Sequence, residues 1–356
     1  MKIAVIAGGL SSEREVSLTS GSMIANALVQ KGHSVCFVDI YTGLGMNADG
    51  FGCAPEFSGN KIATYRVSAT VPDLDTLKIE SGRGERRIGD GVMDICRAAD
   101  VVFNALHGDV GENGQIQALF DMEGIRYTGS GYVGSAMAMD KEITKRILRD
   151  AGLPSPFGFA VNVDDDIDAV AQKIISDIGF PCVIKPCSGG SSVGISIPEN
   201  RRELEIALAE AAKYEKRILA ERKICGREFA VGILGNTVLP PVEIIPKSGF
   251  YDYENKYQSG RVREVCPPEN FTAEDVARVS ELTQKAFALL RLDGYARFDY
   301  IMDAEGEFWI LEANTLPGMT PTSLLPFAAS AAGVEYGELC QRMIELALKK
   351  SKIGLP

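Results

Sequence analysis

Four polar side chains on two adjoining predicted strands are the clearest sign of chemistry in this sequence. The segments YARFDYIM and EFWILEAN predict strands on either side of a turn. Because side chains alternate along a strand, Arg297 and Asp299 share one face. Glu312 and Asn314 share a face of the partner strand for the same reason. Two carboxylates and an amide oxygen suit Mg²⁺ in a phosphate site; a salt-bridged strand pair on a solvated face is the alternative.

A four-residue turn at 303–306 sets the expected register of this hairpin. In that register Arg297 lies opposite Glu312, and Asp299 lies opposite Ile310. The other face of the hairpin is then expected to carry Phe298, Tyr300, Trp309 and Leu311. Burying the polar face without partners would be unfavourable, so the pattern favours a bound cation.

The segment KPCSGGSSVG, residues 185–194, places a lysine before a loop of small residues. It is neither a G-x-x-x-x-G-K-[ST] loop nor a G-x-G-x-x-G loop. PCVIKP, residues 181–186, and VGISI, residues 193–197, predict two strands. The loop of small residues between them then lies at the tip of their hairpin. Gly189 and Gly190 would let backbone N–H groups face anionic oxygens. Lys185 would meet a phosphate beneath that tip; the alternative is a surface lysine whose stem alone is buried.

Composition narrows the class of protein. The chain has 356 residues and a net charge of −11, and it contains no basic patch suited to nucleic acid. Its longest apolar runs are too short to span a bilayer, and the N-terminal MKIAVIAGG predicts a first strand. The eight cysteines form no C-x-x-C pair, which favours reduced thiols in a cytoplasm. Because the chain has only two histidines, a histidine-rich metal site is excluded, and any metal site here must use oxygen ligands.

The elements that must position these residues predict three domains. Strands alternate with helices in residues 1–130, which indicates a doubly wound α/β domain. Residues 131–225 predict a small central α+β domain, and residues 226–356 a C-terminal α+β domain that contains the polar hairpin. In the C-terminal domain, Thr272 and the aspartate three residues later predict a capping box. Residues 42–94 give no clear pattern.

Six ordered segments, spread over nearly the whole chain, resemble those of D-alanine–D-alanine ligases, a family with the ATP-grasp fold. RFDYIM…LEANTLPGMT resembles the magnesium segment of ATP-grasp ligases, and HGDVGENGQIQA resembles the family signature HG-x-x-GE-[DN]-G. SSEREVSL, KPCSGGSSVG, YDYENKY and TLPGMTPTS match further family segments in the same order. The signature usually ends in glycine where Ala118 stands, and a smaller aliphatic residue is common where Phe298 stands. Residues 42–94 look longer than in compact family members. None of these departures removes a chemically required group.

The resemblance implies that ATP drives the joining of two D-alanines through an acylphosphate, for peptidoglycan precursor synthesis. Two Mg²⁺ ions, which Mn²⁺ could replace, would be held by Asp299, Glu312 and Asn314. The ATP phosphates would be contacted by Lys141, Lys185 and, from a loop that closes over the site, Lys256. The adenosine would be contacted by Glu221, Arg222, Ile224 and Glu228.

The same resemblance implies where the first D-alanine binds. Glu13 would bind its ammonium group, and His107 would lie near the substrate carboxylate. Ser191 and Tyr257 would complete a hydrogen-bonded set with Glu13. Because relatives that make D-alanyl-D-lactate lack this tyrosine pattern, Tyr257 argues for an amine as the second substrate.

The site of the second D-alanine is implied as well. Arg297 and the backbone N–H of Gly318 would form the oxyanion hole for the tetrahedral intermediate. Ser323 and Leu324 would hold the second D-alanine, with Ser323 on its carboxylate. The family also implies a homodimer, with small molecules rather than nucleic acid or membrane as the other partners.

Other functions are weaker interpretations of the same residues. The nearest alternative is a sister ATP-grasp ligase that accepts D-serine or D-lactate as the second substrate. Residues near Ser323 and Leu324 would decide which second substrate binds. A nucleotide-dependent dehydrogenase is suggested by IAGGLSSE, but G-x-G-x-x-G and an acidic ribose-binding residue are missing. A non-catalytic ATP sensor would not require Arg297 together with all three predicted metal ligands.

Overall fold

In the described residues, three β-sheets follow one another along the chain, as the mixed α/β and α+β pattern predicted. No helix in the described part of the chain is both long and apolar enough to cross a lipid bilayer. The computed structural model describes residues 1–44, 54–62, 64–65, 72–190, 194–246 and 262–350.

The first sheet is mostly parallel, in the order β3, β2, β1, β4, with only β3 antiparallel to its neighbour. Its strands are β1 (Lys2–Ala7), β2 (Ser34–Asp39), β3 (Ala54–Ser58) and β4 (Val101–Asn104). Its helices are α1 (Arg14–Gln30), α2 (Leu74–Ser81), α3 (Val92–Ala98) and α4 (Gln115–Met122). Because parallel strands end at one edge, the loops after β1 and β4 lie together, and Ser11 Oγ donates to the His107 carbonyl at 2.7 Å.

The second sheet is small and antiparallel, in the order β5, β7, β6. Its strands are β5 (Gly158–Asn162), β6 (Cys182–Pro186) and β7 (Arg217–Arg222). The helices of this region are α5 (Tyr132–Met139), α6 (Lys141–Asp150), α7 (Ile167–Asp177) and α8 (Arg201–Ala211). The strand predicted from VGISI is reduced to a bridge between Ile184 and Ser196, joined by two backbone hydrogen bonds of 2.9 Å.

The third sheet is antiparallel, in the order β11, β10, β8, β12, β13, and β9 pairs with β8. Its strands are β8 (Arg227–Leu234), β9 (Thr237–Val238), β10 (Val242–Pro246), β11 (Val262–Val265), β12 (Tyr295–Met302) and β13 (Phe308–Asn314). Its helices are α9 (Ala273–Leu289), α10 (Leu324–Ala331) and α11 (Tyr336–Lys349). The capping box predicted at Thr272 is confirmed, since its hydroxyl accepts from the Asp275 N–H and its own N–H donates back to the Asp275 carboxylate.

The turn of the β12–β13 hairpin is one residue longer than predicted. Met302 pairs with Phe308, so the turn spans residues 303–307. The Asp303 carboxylate accepts hydrogen bonds from two backbone N–H groups within the turn, at 3.1 and 2.8 Å. These bonds stabilise the longer turn, which a count of turn residues alone did not indicate.

A β-bulge shifts the pairing a second time, between Asp299 and the residue after it. Asp299 therefore lies opposite Glu312, and Arg297 lies opposite Asn314. The predicted pairings of Arg297 with Glu312 and of Asp299 with Ile310 were wrong. The two shifts add up to an even number of residues, so the four polar side chains still share one face.

The bulge also changes the apolar face of the hairpin. Phe298 and Tyr300 are fully buried in the core under α9, as predicted, and Ile310 is buried with them. Leu311, the extra residue, turns to the polar face and lines a cavity there. Trp309 lies opposite Ile301, which lines the same cavity. The prediction was thus wrong for Trp309 and Leu311.

Hydrophobic cores connect regions that the sequence suggested as separate domains. One core joins the first sheet to the C-terminal helices, for example Ile6 with Met343 of α11. A second core packs Leu148 of α6 with the third sheet. A third core is confined to the second sheet with α7 and α8. Since elements on both sides share cores, the domain boundaries after residues 130 and 225 stay predictions.

Candidate active site

Two cavities adjoin at Glu312, near the end of β13. The larger cavity has a volume of about 730 Å³ and lies between the second and third sheets. The smaller cavity, of about 340 Å³, is lined by the loops after β1 and β4 and by the segment after β13. Glu312 lines both cavities. Adjoining pockets of these sizes suit two ligands of unequal size that meet at the shared carboxylate.

The polar face of the hairpin lies at this junction. Arg297 donates to both oxygens of Asp299, from Nε at 2.7 Å and from Nη2 at 2.9 Å. Asn314 Nδ2 donates to Asp299 at 3.1 Å, and Lys141 Nζ lies 3.6 Å from Glu312. Both carboxylates thus already attract cationic groups. Two carboxylates and an amide oxygen on neighbouring strands, in surroundings that favour positive charge, fit a hard divalent cation.

A buried triad of two lysines and one glutamate adjoins the larger cavity, which Lys185 and Glu221 line. Glu221 on β7 lies 2.6 Å from both Lys145 and Lys185. Glu221 is paired with Val183 on β6, so Lys185, two residues further on, projects from the same face. All three charged side chains are almost fully buried. The triad therefore concentrates positive charge at one end of a mainly apolar cavity.

Helix α6 positions two of the lysines near the cavities. Asp140 caps the N-terminus of the helix, and its carboxylate accepts a hydrogen bond from the Ile143 N–H at 3.0 Å. Lys141 and Lys145 are one helical turn apart and project from the same side. Lys141 Nζ donates to the Gly189 carbonyl at 2.5 Å, which connects α6 to the KPCSGG loop.

Burial and charge act in opposite directions within the triad. Burial lowers the pKa of Lys145 to about 8, against the attraction of Glu221. Burial would also lower the pKa of Lys185, but the charges of Glu221 and Glu312 outweigh it and raise that pKa. Burial would raise the pKa of Glu221, but Lys145 and Lys185 outweigh it and lower that pKa. Lys185 and Glu221 are therefore the firmly charged members, and Lys145 is the one that loses its proton most easily.

The larger cavity also brings together the residues predicted to contact adenosine. These residues are Glu221, Arg222, Ile224 and Glu228. Beside them the cavity is apolar, with aliphatic side chains from Val183, Ile195, Ile197, Ile244, Ile301 and Leu311. A planar base suits such an apolar slot, and phosphates suit the lysine end. Leu311 was missed because the predicted register put it on the opposite face. Ile301 was also missed, although alternation places it on the face of Arg297 and Asp299.

The smaller cavity brings together the residues predicted to bind amino acids. Those that line it are Glu13, His107, Arg297, Gly318, Ser323 and Leu324. Glu13 directly precedes α1. A Cβ built on Gly190 would lie 3.4 Å from a Glu13 carboxylate oxygen, so the described end of the KPCSGG loop lies against Glu13. The nucleotide-side loop and the amino-acid residue predicted to touch it are thus neighbours.

The two ring nitrogens of His107 differ in their hydrogen bonding. Its Nδ1 lies 3.0 Å from the Leu316 carbonyl, which can only accept, so Nδ1 carries a proton. Its Nε2 is buried and has no hydrogen-bond partner among the residues that the structure describes. A buried polar atom without a partner beside a cavity is suited to a ligand. In the doubly protonated ring, Nε2 would donate to a carboxylate.

The segment after β13 closes the smaller cavity. Ser323 directly precedes α10, and its Oγ accepts a hydrogen bond from the Thr320 N–H at 3.1 Å. A Cβ built on Gly318 would lie 3.0 Å from Ser323 Oγ, so these two residues are close neighbours. The close approach explains why a glycine suits position 318.

Three residues that the resemblance assigned to the site lie outside the described residues. They are Ser191, Lys256 and Tyr257. Their contacts to Glu13, to the γ-phosphate and to the second substrate stay predictions.

Sequence reasoning missed three charged residues of the site. Lys145 lies in KEITKRILRD, a segment that reads as a solvated helix, although its spacing of four from Lys141 was a signal. Glu112 lines the smaller cavity and accepts a hydrogen bond from the Gly108 N–H at 3.0 Å. Glu264 lines the same cavity from β11. Its strand has four residues, too few for a pattern to indicate which side faces a ligand.

Two known protein families together match most of the chain. Residues 2–130 match the family described as D-ala D-ala ligase N-terminus, and residues 147–345 match D-ala D-ala ligase C-terminus. A D-alanine–D-alanine ligase of Lacticaseibacillus casei is 38% identical over 357 residues, covering 100% of this chain and 98% of the relative. The enzyme of the same name from Pediococcus pentosaceus is 39% identical and covers 97% of each chain.

Solved structures agree with this assignment. The D-alanine–D-alanine ligase of Bacillus anthracis complexed with ATP superposes with a TM-score of 0.71 at 29% identity, over 98% of this chain and 97% of that chain. The Coxiella burnetii enzyme gives a TM-score of 0.71 at 25% identity, over 98% of this chain and 94% of its own. With family matches over both halves and curated relatives at full length, the chain belongs to the D-alanine–D-alanine ligase family and has the ATP-grasp fold.

Proposed function

We propose that this chain uses ATP to join two D-alanines into D-alanyl-D-alanine. The observation that carries the proposal is the position of Glu312, which lines both the larger and the smaller cavity. ATP lies in the larger cavity, and the two amino acids lie in the smaller one. The γ-phosphate and the first carboxylate then meet at the junction. The relatives named D-alanine–D-alanine ligase support this choice of substrate.

ATP is oriented by the two ends of the larger cavity. Lys141 and Lys185 contact its phosphates, while the backbone near Arg222 and Ile224 contacts the adenine. Glu228 accepts hydrogen bonds from the ribose hydroxyls, and Glu221 lies near the adenine amine. Lys256 reaches the γ-phosphate from its loop. The buried lysines support the phosphate end, since Lys145 and Lys185 share one carboxylate, Glu221, and the net positive charge of this triad favours an anionic ligand.

Divalent cations complete the junction. Asp299, Glu312 and Asn314 would hold Mg²⁺, with the Asn314 amide oxygen rather than its nitrogen turned to the metal. When bound, Mg²⁺ supplies charge neutralisation for the ATP phosphates. Arg297 also lines the smaller cavity, where it would face the oxyanion of the reaction.

The chemistry divides into two steps. In the first, a carboxylate oxygen of the first D-alanine attacks the γ-phosphorus, ADP leaves, and an acylphosphate forms. In the second, the ammonium group of the second D-alanine loses a proton and the resulting neutral amine attacks the acyl carbon. Phosphate leaves with the former carboxylate oxygen, and the nitrogen loses a second proton as the amide forms. Arg297 and the Gly318 N–H stabilise the negative oxygen of the tetrahedral intermediate. Exclusion of water protects the acylphosphate from hydrolysis.

The amino acids are held by their charged ends. Glu13 binds the first ammonium group, with Ser191 and Tyr257 completing its hydrogen bonds. His107 Nε2 faces the first carboxylate. Ser323 binds the second carboxylate, and Leu324 contacts the second side chain. D-Serine or D-lactate in place of the second D-alanine would define a sister ligase, and Tyr257 favours an amine.

The proposal extends to the cellular setting. The described cysteines are all free thiols, which supports a reducing cytoplasm. The product supplies peptidoglycan precursor synthesis. The resemblance supports a homodimer, which light scattering of the purified protein tests.

The test is release of ADP and phosphate from ATP and Mg²⁺ with each amino acid offered alone and in pairs. D-Alanine alone should support release and yield the dipeptide by mass spectrometry. L-Alanine should support neither. Release that depends on D-serine or D-lactate and not on D-alanine alone would identify a sister ligase.

A further inference from the structure

Glu264 is a half-buried carboxylate in the smaller cavity that the assigned roles do not use. It lies on β11 opposite Ile244 of β10. Ile244 lies opposite Glu228 of β8, and Glu228 opposite Ile301 of β12. Directly paired residues of an antiparallel sheet project from the same face. Glu264 therefore shares the face of the sheet that carries Arg297, four residues before Ile301.

The other acidic residues of this cavity are already engaged. Glu112 accepts from the Gly108 N–H, and Glu312 lies at the junction near Lys141. Glu13 has the first ammonium group as its proposed ligand. Glu264 forms no hydrogen bond or ion pair with any residue in the described ranges. Burial raises its pKa, and the positive charge of Arg297 opposes that rise.

The cavity must balance the charges of two amino acids. Each substrate brings one ammonium and one carboxylate group. Glu13 accounts for one ammonium group, and the remaining one needs a carboxylate on the side of Arg297, where the acyl group is attacked. Glu264 supplies a carboxylate on that side.

We propose that Glu264 is a specificity-determining residue that binds the ammonium group of the second amino acid and so selects an amine over a hydroxy acid. This inference rests on the proposed function. A hydroxy acid such as D-lactate brings no positive charge for Glu264 and leaves the carboxylate unpaired in the cavity. Glu264 therefore discriminates against D-lactate by the binding free energy of one ion-paired hydrogen bond.

The test compares Glu264→Gln with the native enzyme and with Glu305→Gln, which removes an exposed carboxylate outside both cavities. In Glu264→Gln, the D-alanine concentration that half-saturates the second site should rise about tenfold, as expected for loss of one charged hydrogen bond. The KM for ATP should stay within about twofold. The ratio of D-lactate to D-alanine use as second substrate should rise. Glu305→Gln should match the native enzyme.

The outcomes separate this inference from the proposed function. Native enzyme without D-alanine-dependent phosphate release would overturn the proposed function itself. An active Glu264→Gln enzyme with unchanged half-saturation and unchanged D-lactate ratio would overturn the role of Glu264 alone. If Glu264→Gln does not fold, Glu264→Asp decides: a raised half-saturation supports the ion pair, and native values overturn it.

Discussion

Glu312 lies directly opposite Asp299 on the neighbouring strand, at the point where the larger and smaller cavities adjoin. The pairing depends on a β-bulge and on a five-residue turn. It brings two carboxylates side by side, each with a cationic neighbour, Arg297 for Asp299 and Lys141 for Glu312. Like charges held this close favour a cation between them. The geometry thus connects strand register with the proposed site of phosphoryl transfer.

Glu312→Gln should reduce D-alanine-dependent phosphate release by roughly 100-fold or more. The amide keeps the shape of the side chain but removes the charge that holds a divalent cation. A bound divalent cation stabilises the transition state by several kcal/mol. Steady-state phosphate release at saturating Mg²⁺ measures the loss. The thermal melting curve should match that of the native enzyme, since Glu312 is not part of a hydrophobic core. Near-native turnover would show that the metal ligands are misassigned.

Lys145→Met should weaken ATP binding and change its pH dependence. Burial lowers the pKa of Lys145 to about 8, so its charge is present below that pH and lost above it. When Lys145 is neutral, Lys185 is the only charged partner of Glu221 within the triad. Glu221 then competes with the ATP phosphates for Lys185. The native KM for ATP should therefore rise as pH increases through about 8. The variant should show a raised KM throughout, without that inflection.

The matched control for this variant is Lys213→Met, which removes an exposed lysine paired with Glu210. It should keep the native KM and the native pH profile. If Lys145→Met keeps the inflection near pH 8, another group titrates there.

Gly318→Ala should impair use of the second amino acid. The added Cβ would lie 3.0 Å from Ser323 Oγ, so Ser323 must move. We expect the half-saturating concentration of the second D-alanine to rise roughly tenfold, which corresponds to about 1.4 kcal/mol. Initial rates against D-alanine concentration measure it. Gly59→Ala is the control, since a Cβ there meets no atom of the described residues within 4 Å. Equal effects in both variants would contradict a specific role for Gly318.

Thr272→Ala should lower stability without changing activity. The substitution removes the hydroxyl that accepts the Asp275 N–H in the capping box of α9. Loss of such a cap costs about 1 kcal/mol of unfolding free energy. Urea denaturation followed by circular dichroism measures the change. An unchanged transition midpoint would mean that this cap contributes nothing to the stability of the sheet that α9 covers.

Much of the fold followed from local pattern, and the register did not. Alternation put Arg297 with Asp299 and Glu312 with Asn314, and the predicted register put both pairs on one face. That placement held because the two register shifts add up to an even number of residues. Which residues face each other depends on a turn that Asp303 stabilises and on a bulge, and neither has a strong sequence signal.

Lys145 shows a second limit of local pattern. The charged segment around it reads as an exposed helix, yet the packing of α6 against the third sheet buries its ammonium group beside Glu221. Burial of this kind is decided by elements distant in sequence. Glu264 was missed for the same reason, since only the assembled sheet shows that it faces the smaller cavity.

The most direct test of the account follows one oxygen atom. D-Alanine labelled with ¹⁸O in its carboxylate is incubated with the native enzyme, ATP and Mg²⁺, and the released phosphate is examined by mass spectrometry. If the first carboxylate attacks the γ-phosphate where the two cavities adjoin, one labelled oxygen appears in each phosphate formed with a dipeptide. Dipeptide formation with unlabelled phosphate would contradict transfer through an acylphosphate at that junction.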